Sequence, residues 1–394
     1  MSENKKLLLV LCALASFIVL PYLGAYIYFD GKFPQGFFAF PPLTAPEKAP
    51  FNKTIFIIIW IFFFAVAALY ILPRLFGFKK PPSQPKIPVA RVSFPVWFWA
   101  GFVLWIVPLI ILVGHFSGPS LIVNWADIPM FWGFAMLLDG IVYIRTGGQS
   151  IIAKYPRVLI GIGMASISGW LIFEYLNFFV DDNWIYPKGD LIPEGEFMMY
   201  AIFGSSGLMP MAFEMHSFIE TLPGMKERYK YGPKITLPRW MQAVVAGACL
   251  LSLYFINYLP GPLFFVLWFS PLLILAIVMS WIGVWTPFTP MKEGNWGPAM
   301  LFALSFYFQG ILHEGWNYLS GVHENGQMVH SYNPDYWAYS IPYVNVWHVF
   351  EMPFLGLMGY LPFGIYCAVW WITFAWFLDI PTQFDLKPGS TRQS

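Results

Sequence analysis

Charge is scarce in this chain: only 11% of its 394 residues are Asp, Glu, Lys or Arg, whereas 58% are hydrophobic. A soluble domain carries about 25% charged residues, so this composition excludes an ordinary soluble fold and indicates an integral membrane protein. The formal net charge is +1. A protein that binds nucleic acid needs a basic face, and the charge balance therefore excludes a nucleic-acid partner.

Cysteine is also rare. The three cysteines, Cys12, Cys249 and Cys367, all lie in apolar stretches. Their spacing excludes a zinc cluster and does not favour a disulfide framework. The six histidines form no close-spaced ligand motif of the kind that transition-metal sites use. The side chains of His313, Glu314, His348 and Glu351 would suit a divalent transition metal, but no motif makes that interpretation specific, and any cofactor stays unidentified.

Long apolar stretches are abundant. Ten of them reach roughly 18 or more residues, which is enough to cross a bilayer as a helix. The last is too long for one helix, and Pro353 and Pro362 predict an interfacial stretch before its spanning helix. The sequence thus predicts an all-α, polytopic integral membrane helix bundle with about ten transmembrane helices. The stretches are 7–28, 54–75, 94–114, 128–144, 158–178, 197–219, 240–259, 263–285, 298–318 and 346–378.

Lys and Arg are distributed unevenly over the connections. If the N-terminus is inside, all but four of these residues fall on the inner side; the four outside are Lys32, Lys48, Lys53 and Lys188. Cytoplasmic loops are enriched in Lys and Arg, so this distribution predicts a plasma (inner) membrane protein with both termini in the cytoplasm. The first apolar stretch lacks a small-x-small cleavage site, which predicts an uncleaved anchor helix.

One pattern of polar, aromatic and small residues occurs twice. The first copy reads Glu174-x-x-Asn177, Trp184-x-Tyr186 and Gly204-x-x-Gly207-x-x-Pro210. The second reads Glu314-x-x-Asn317, Trp337-x-Tyr339 and Gly356-x-x-Gly359-x-x-Pro362. The shared order predicts two parallel four-helix repeats related by an axis near the membrane normal. The alternative is chance, because Gly, Trp and Pro are common in membrane helices.

The repeats set the predicted domain boundaries. Because the external loop 319–345 is long for a passive connection, we expect it to act as a lid or docking site. The predicted parts are an N-terminal transmembrane hairpin (1–75), a Pro-rich cytoplasmic linker (76–93), a first repeat (94–219), a second repeat with that loop (240–378) and a cytoplasmic tail (379–394).

The polar residues of both copies are expected to form one layer near the outer face. Residues three apart share one face of a helix, so each Glu lies beside its Asn. A carboxylate or amide within an apolar span is costly and usually functional. The candidate catalytic residues are Glu314, Glu351, His313, His348 and Asn317. The candidate binding residues are Glu174, Asn177, Glu196, Trp337 and Tyr339.

Three functions are compatible with this layer. A carboxylate beside apolar walls has a raised pKa and can act as a general acid, which suits an enzyme that acts on a lipid or isoprenoid. A non-catalytic subunit of a larger membrane complex is the second, contacting a haem, quinone or pigment, with His313 and His348 as candidate haem ligands. A small-solute transporter with parallel repeats is the third, although transporter sites usually lie near the midplane.

A simpler alternative is a hydrogen-bond network that only pins helix ends together. The expected partners are membrane lipids and, for the second function, other membrane subunits.

Overall fold

The computed structural model describes residues 1–82 and 89–381 and is mostly helical. The predicted linker 76–93 lies partly outside the described residues, as does most of the predicted tail 379–394. The α-helices are α1 (Glu3–Tyr28), α2 (Lys53–Ile71), α3 (Val96–Val113), α4 (Ser120–Val123), α5 (Asp127–Arg145), α6 (Ile151–Lys154), α7 (Pro156–Asn177), α8 (Glu194–Thr221), α9 (Met225–Arg228), α10 (Arg239–Phe255), α11 (Pro260–Leu263), α12 (Val266–Trp281), α13 (Gly297–Leu319) and α14 (Tyr360–Phe377).

Six helical segments are long and apolar enough to cross a membrane, which supports a membrane-embedded protein. Two further apolar helices, α10 and α12, are shorter. Within the described residues, the six candidate spans are Glu3–Tyr28, Lys53–Ile71, Val96–Val113, Ser120–Arg145, Pro156–Val180 and Phe354–Phe377.

The long helices pack in a connected set of pairs. On one side, α5 packs against α3 and α8, and α7 packs against α8. On the other side, α12 packs against α10 and α14, and α13 packs against α14. Contacts of α8 with α13 and of α7 with α14 join the two sides. The two N-terminal helices contact different parts of the bundle: α1 packs against α10 and α12, and α2 contacts the 3₁₀ turn Phe354–Gly359.

Among the described residues, six short strands form three antiparallel pairs. They are β1 (Trp184–Ile185) with β4 (Ala338–Tyr339), β2 (Gly321–Glu324) with β3 (Gln327–Ser331), and β5 (His348–Val349) with β6 (Met352–Pro353). All lie in segments that connect the long helices at one end of the bundle, where α7 and α13 end and α8 and α14 begin. We call this the strand end.

The chain reverses sharply after α7. A 3₁₀ turn follows at Phe178–Val180, and Asp181 and Asp182 then adopt left-handed backbone angles, with φ of 58° and 51°. Aspartate is among the few non-glycine residues that tolerate this region, because its short side chain can hydrogen-bond locally. The reversal carries Trp184 back over the end of α7.

The segment before α14 is irregular, as its excess length predicted. It contains the β5–β6 hairpin and then the 3₁₀ turn Phe354–Gly359. His348 and Glu351 do not lie on a helix, although their spacing is three residues, because this part of the chain is a hairpin. Left-handed angles at Trp347 and Phe350, with φ of 54° and 59°, produce the turns.

Candidate functional site

The first carboxylate cluster is built on the last two turns of α7. Glu174 is buried and accepts hydrogen bonds from the indole nitrogen of Trp184 at 3.2 Å and the hydroxyl of Tyr186 at 2.5 Å. Asn177 Nδ2 donates to the Trp184 carbonyl at 2.8 Å, and its Oδ1 accepts from the Asn183 amide at 2.7 Å. The amide thus fixes the returning backbone, and the carboxylate fixes the two aromatic side chains.

The second cluster repeats these contacts at the end of α13. Glu314 is buried and accepts from Trp337 Nε1 at 3.2 Å and from the Tyr339 hydroxyl at 2.6 Å. Asn317 Nδ2 donates to the Trp337 carbonyl at 2.8 Å, and its Oδ1 accepts from the Trp337 amide at 3.1 Å. The hydroxyl of Tyr360, at the start of α14, also donates to Glu314.

The two clusters meet directly. Strands β1 and β4 carry the two Trp-x-Tyr segments, and they pair with Trp184 opposite Tyr339 and Ile185 opposite Ala338. The Ser340 amide extends the contact by donating to the Asn183 carbonyl at 2.8 Å. The two Glu–Asn pairs therefore form two carboxylate clusters that are joined through a short two-stranded sheet.

An aromatic cavity lies beside this sheet, with an empty volume of about 840 Å³ that includes its open part. Glu174 and Glu314 are not among the described residues that line the cavity, because their carboxylates lie behind the aromatic side chains. The rings that line the cavity are Phe131, Trp170, Trp184, Tyr186, Trp268, Phe306, Trp337, Tyr339, Tyr360 and Phe363.

Asp335 is the one carboxylate among the described residues of the cavity wall. Burial raises its pKa well above the usual range, and the nearby charges of Asp127 and Glu174 raise it further. Its backbone is held by a bond from its amide to Asn333 Oδ1 at 3.0 Å. Asp127, at the start of α5, is fully buried, and within the described chain neither of its carboxylate oxygens has a hydrogen-bond partner. The strand end thus contains two interacting acids that have no counter-ion among the described residues.

His313 supplies an imidazole to the same cavity. Its ring contacts Trp337 edge-on at 4.5 Å and Phe131 at 4.9 Å between centroids. Its Nε2 atom is buried and has no hydrogen-bond partner in the part of the chain that the structure describes. The ring is therefore placed by packing, and one nitrogen remains available to a ligand.

Three other candidates lie elsewhere. Glu196 accepts a hydrogen bond from Trp125 Nε1 at 2.9 Å. Glu351 accepts from the Tyr336 hydroxyl and lies 3.1 Å from His323 Nε2, in a cluster that fastens the 319–345 segment. His348 is exposed and its Nε2 lies 3.0 Å from Asn345 Oδ1. None of the three lines the cavity as far as the described residues show.

Three important residues were not among the sequence candidates: Tyr360, Asp335 and Asp127. A signal for Asp335 was present, because the repeated pattern extends by two residues to Asp182-x-Trp184 and Asp335-x-Trp337. The donor Tyr360 has no such signal, since Leu208 stands at the corresponding position of the first copy.

The described residues contain no group of three or more His, Cys, Asp or Glu arranged to hold a metal ion. The groups that the cavity presents to a ligand are the carboxylate of Asp335, the imidazole of His313 and aromatic rings.

No protein-family model, curated protein or solved structure matches this chain.

Proposed function

We propose that the protein is a membrane-embedded enzyme that acts on a lipid or isoprenoid held in the aromatic cavity. The observation that carries the proposal is the lining of this cavity: ten aromatic residues surround it, and Asp335 and His313 face it. Ligand sites are typically apolar clefts in which a few placed polar groups fix orientation and supply chemistry. Large ring faces favour a substrate that is itself mostly apolar.

The catalytic roles fall to residues that touch the cavity. Desolvation raises the pKa of Asp335 and thereby favours its protonated form, which can donate a proton to a substrate; Asp335 is therefore the candidate general acid. His313 is the candidate base, since its Nε2 is not used by the protein in the described chain. Glu314 and Asn317 act through Trp337 and Tyr339, so we assign them a positioning role.

We further propose that ten helices cross the membrane and that residues 94–219 and 240–378 are duplicated repeats. The helix contacts support this, because the pairs α3–α5, α5–α8 and α7–α8 correspond to α10–α12, α12–α14 and α13–α14. The pairing of Trp184 with Tyr339 supports it too, because a two-fold axis between Ile185 and Ala338 exchanges the two Trp-x-Tyr segments.

The distribution of Lys and Arg favours a plasma membrane location with the strand end outside and both termini in the cytoplasm. In this orientation the cavity lies toward the outer leaflet, from which a membrane lipid would enter. The expected partners are therefore membrane lipids.

The direct test is to purify the protein in nanodiscs and identify co-purified organic molecules by mass spectrometry. We compare Gly359→Leu with Gly247→Leu. Gly359 lines the cavity, and a Cβ there would lie 3.6 Å from the Trp268 ring, so a leucine fills the space. Gly247 lies in α10 with nothing within 4 Å of a Cβ, so it serves as the matched control.

We expect one lipid or isoprenoid species to co-purify with the native protein and Gly247→Leu, and to be lost from Gly359→Leu. In Asp335→Asn we expect the unconverted substrate to accumulate in the cavity. Equal lipid content in all variants would overturn the cavity as the site. A bound quinone or pigment that Asp335→Asn leaves chemically unchanged would instead favour a subunit of a larger membrane complex.

A further inference from the structure

We infer that the cavity recognises an organic cation, the ammonium group of an amphiphile, which lies against the carboxylate of Asp335 and the ring faces beside it. This inference rests on the proposed function in one respect, that the aromatic cavity is where the ligand binds. It adds the chemical class of the group that the cavity selects.

The first observation is a pair of neighbouring acids without a counter-ion among the described residues. Buried charges in proteins are normally paired, because an isolated ion in an apolar surrounding is very costly. Asp127 is fully buried with both oxygens unpartnered, and Asp335 lies close enough for their charges to interact. The ion pairs found among the described residues join neither of them to Lys, Arg or His. The protein thus holds two acids in need of either protons or a bound cation.

The second observation is the kind of wall that surrounds Asp335. The indole rings of Trp184, Trp268 and Trp337 line the same cavity. A tryptophan face attracts a cation within about 6 Å of the ring centre, and cages of such faces recognise quaternary ammonium groups. A purely apolar ligand would be held as well by aliphatic side chains, so the combination of indoles with a carboxylate favours a cationic group.

A metal ion fits the cavity poorly. Calcium takes six to eight oxygen ligands, and magnesium demands an octahedral set. Within the described residues no group of three potential metal ligands is present at any site. An ammonium group needs no ordered set of ligands, since its charge is spread over alkyl groups that pack against rings.

Ligand and protonation state are coupled here. In the absence of a cation, burial favours the protonated form of Asp335. A cation next to the carboxylate favours its charged form, so the arriving ammonium group replaces the proton of Asp335, and that proton is the one that Asp335 can donate to the substrate.

The experiment compares choline with 3,3-dimethylbutan-1-ol, which has the same shape without the charge. Binding of each to the purified full-length protein in nanodiscs is measured by isothermal titration calorimetry. We expect choline to bind about tenfold more tightly or better, the size of effect that a desolvated cation–π contact supports. Asp335→Asn should abolish the preference. The matched control is Asp190→Asn, at an exposed aspartate of the same end of the bundle, which should keep it.

Equal binding of choline and the neutral alcohol overturns the inference, and so does a preference that survives in Asp335→Asn. Absence of binding by both probes overturns it as well. If Asp335→Asn proves poorly folded by thermal denaturation, Asp127→Asn provides the second test, with the same loss of preference expected. A lipid that still co-purifies in the cavity after any of these failures leaves the proposed function intact, so the two proposals fail separately.

Discussion

The carboxylate clusters around Glu174 and Glu314 share their framework and differ in their surroundings. In each, a glutamate receives an indole N–H and a tyrosine hydroxyl, and an asparagine three residues later fastens the returning backbone. Corresponding side chains at the ends of α7 and α13 therefore make the same kinds of hydrogen bond. The shared contacts serve architecture, and the differences between the clusters point to function.

The first difference is the additional tyrosine donor of the Glu314 cluster, and it results from different residues at two corresponding positions. At the position of Trp170 in α7, α13 has Gly310, and at the position of Leu208 in α8, the second half has Tyr360. A Cβ on Gly310 would lie 2.6 Å from Tyr360 Cδ2, so the glycine makes room for the tyrosine that reaches Glu314. In the first cluster Trp170 fills the space and packs on Trp184, with centroids 5.9 Å apart.

A second difference concerns the acids that precede the strands. Asp182 lies near Lys48, and burial raises the pKa of Asp182 to about 7 while it lowers that of Lys48 to about 8. The corresponding Asp335 faces the aromatic cavity and has no such cation among the charges that act on it. The first half thus has a local counter-charge, and the second half presents its acid to the cavity.

The largest effects are expected from Glu174→Ala and Glu314→Ala. Each substitution leaves at least two buried donors without an acceptor, and each such donor costs about 1–3 kcal/mol. Both variants should therefore lower the free energy of unfolding by about 3–5 kcal/mol. The midpoint of thermal denaturation in detergent measures the change. Glu194→Ala, at an exposed residue, is the control and should change little. If one of the two cluster variants behaves like this control, the clusters are not equivalent supports.

Gly310→Trp gives the second cluster the tryptophan of the first. The new side chain collides with Tyr360, so we expect a loss of about 2–3 kcal/mol, typical of overpacking. Adding Tyr360→Leu should recover most of this loss, because the pair then matches Trp170 and Leu208. Thermal denaturation of both single variants and the double variant measures the coupling. If the stability losses of the two single variants simply add in the double variant, the residue pairs 170/208 and 310/360 are not equivalent.

Tyr360→Phe removes one hydroxyl that donates to Glu314 and leaves the ring in place. Because other donors still satisfy this carboxylate, the expected cost is about 1 kcal/mol. The matched control is Tyr307→Phe, at a tyrosine of α13 that is not among the described residues lining the cavity; it should cost less and should not affect the bound ligand. Ligand content by mass spectrometry and the denaturation midpoint together distinguish the two, and a Tyr360→Phe protein with more than about 3 kcal/mol of loss would falsify the assigned role.

The smallest effect is expected for His348→Ala. This histidine is exposed on the β5–β6 hairpin and bonds to Asn345 within the same turn. Its removal should change stability by no more than about 0.5 kcal/mol and leave the cavity ligand in place. An absorbance band that disappears in His348→Ala would show that this residue holds a pigment or haem.

The glutamate and asparagine pairs were predictable because they lie on helices. Residues three apart on a helix share a face in any tertiary context, so Glu174 with Asn177 and Glu314 with Asn317 were correctly placed side by side. The apolar stretches likewise predicted a helical membrane protein. The same three-residue spacing at His348 and Glu351 carries no such information, because the spacing argument requires a helix and the chain forms a hairpin there.

The cavity could not be predicted from the chain alone. The partner of Trp184 is Tyr339, more than a hundred residues away, and no local pattern specifies that pairing. The same holds for Tyr360, which reaches Glu314 only because α14 packs against α13 at a glycine. Asp335 lies in the 319–345 loop, and its position on a cavity wall follows from long-range packing.

Composition and local spacing are enough to establish a membrane bundle with paired polar residues at its helix ends, since both depend on the covalent chain and the helix period. Which carboxylates face a ligand depends on contacts between distant segments. Packing brings indole and hydroxyl donors to Glu174 and Glu314, so their carboxylates hydrogen-bond behind the aromatic residues that line the cavity. Asp335 instead lines the cavity itself.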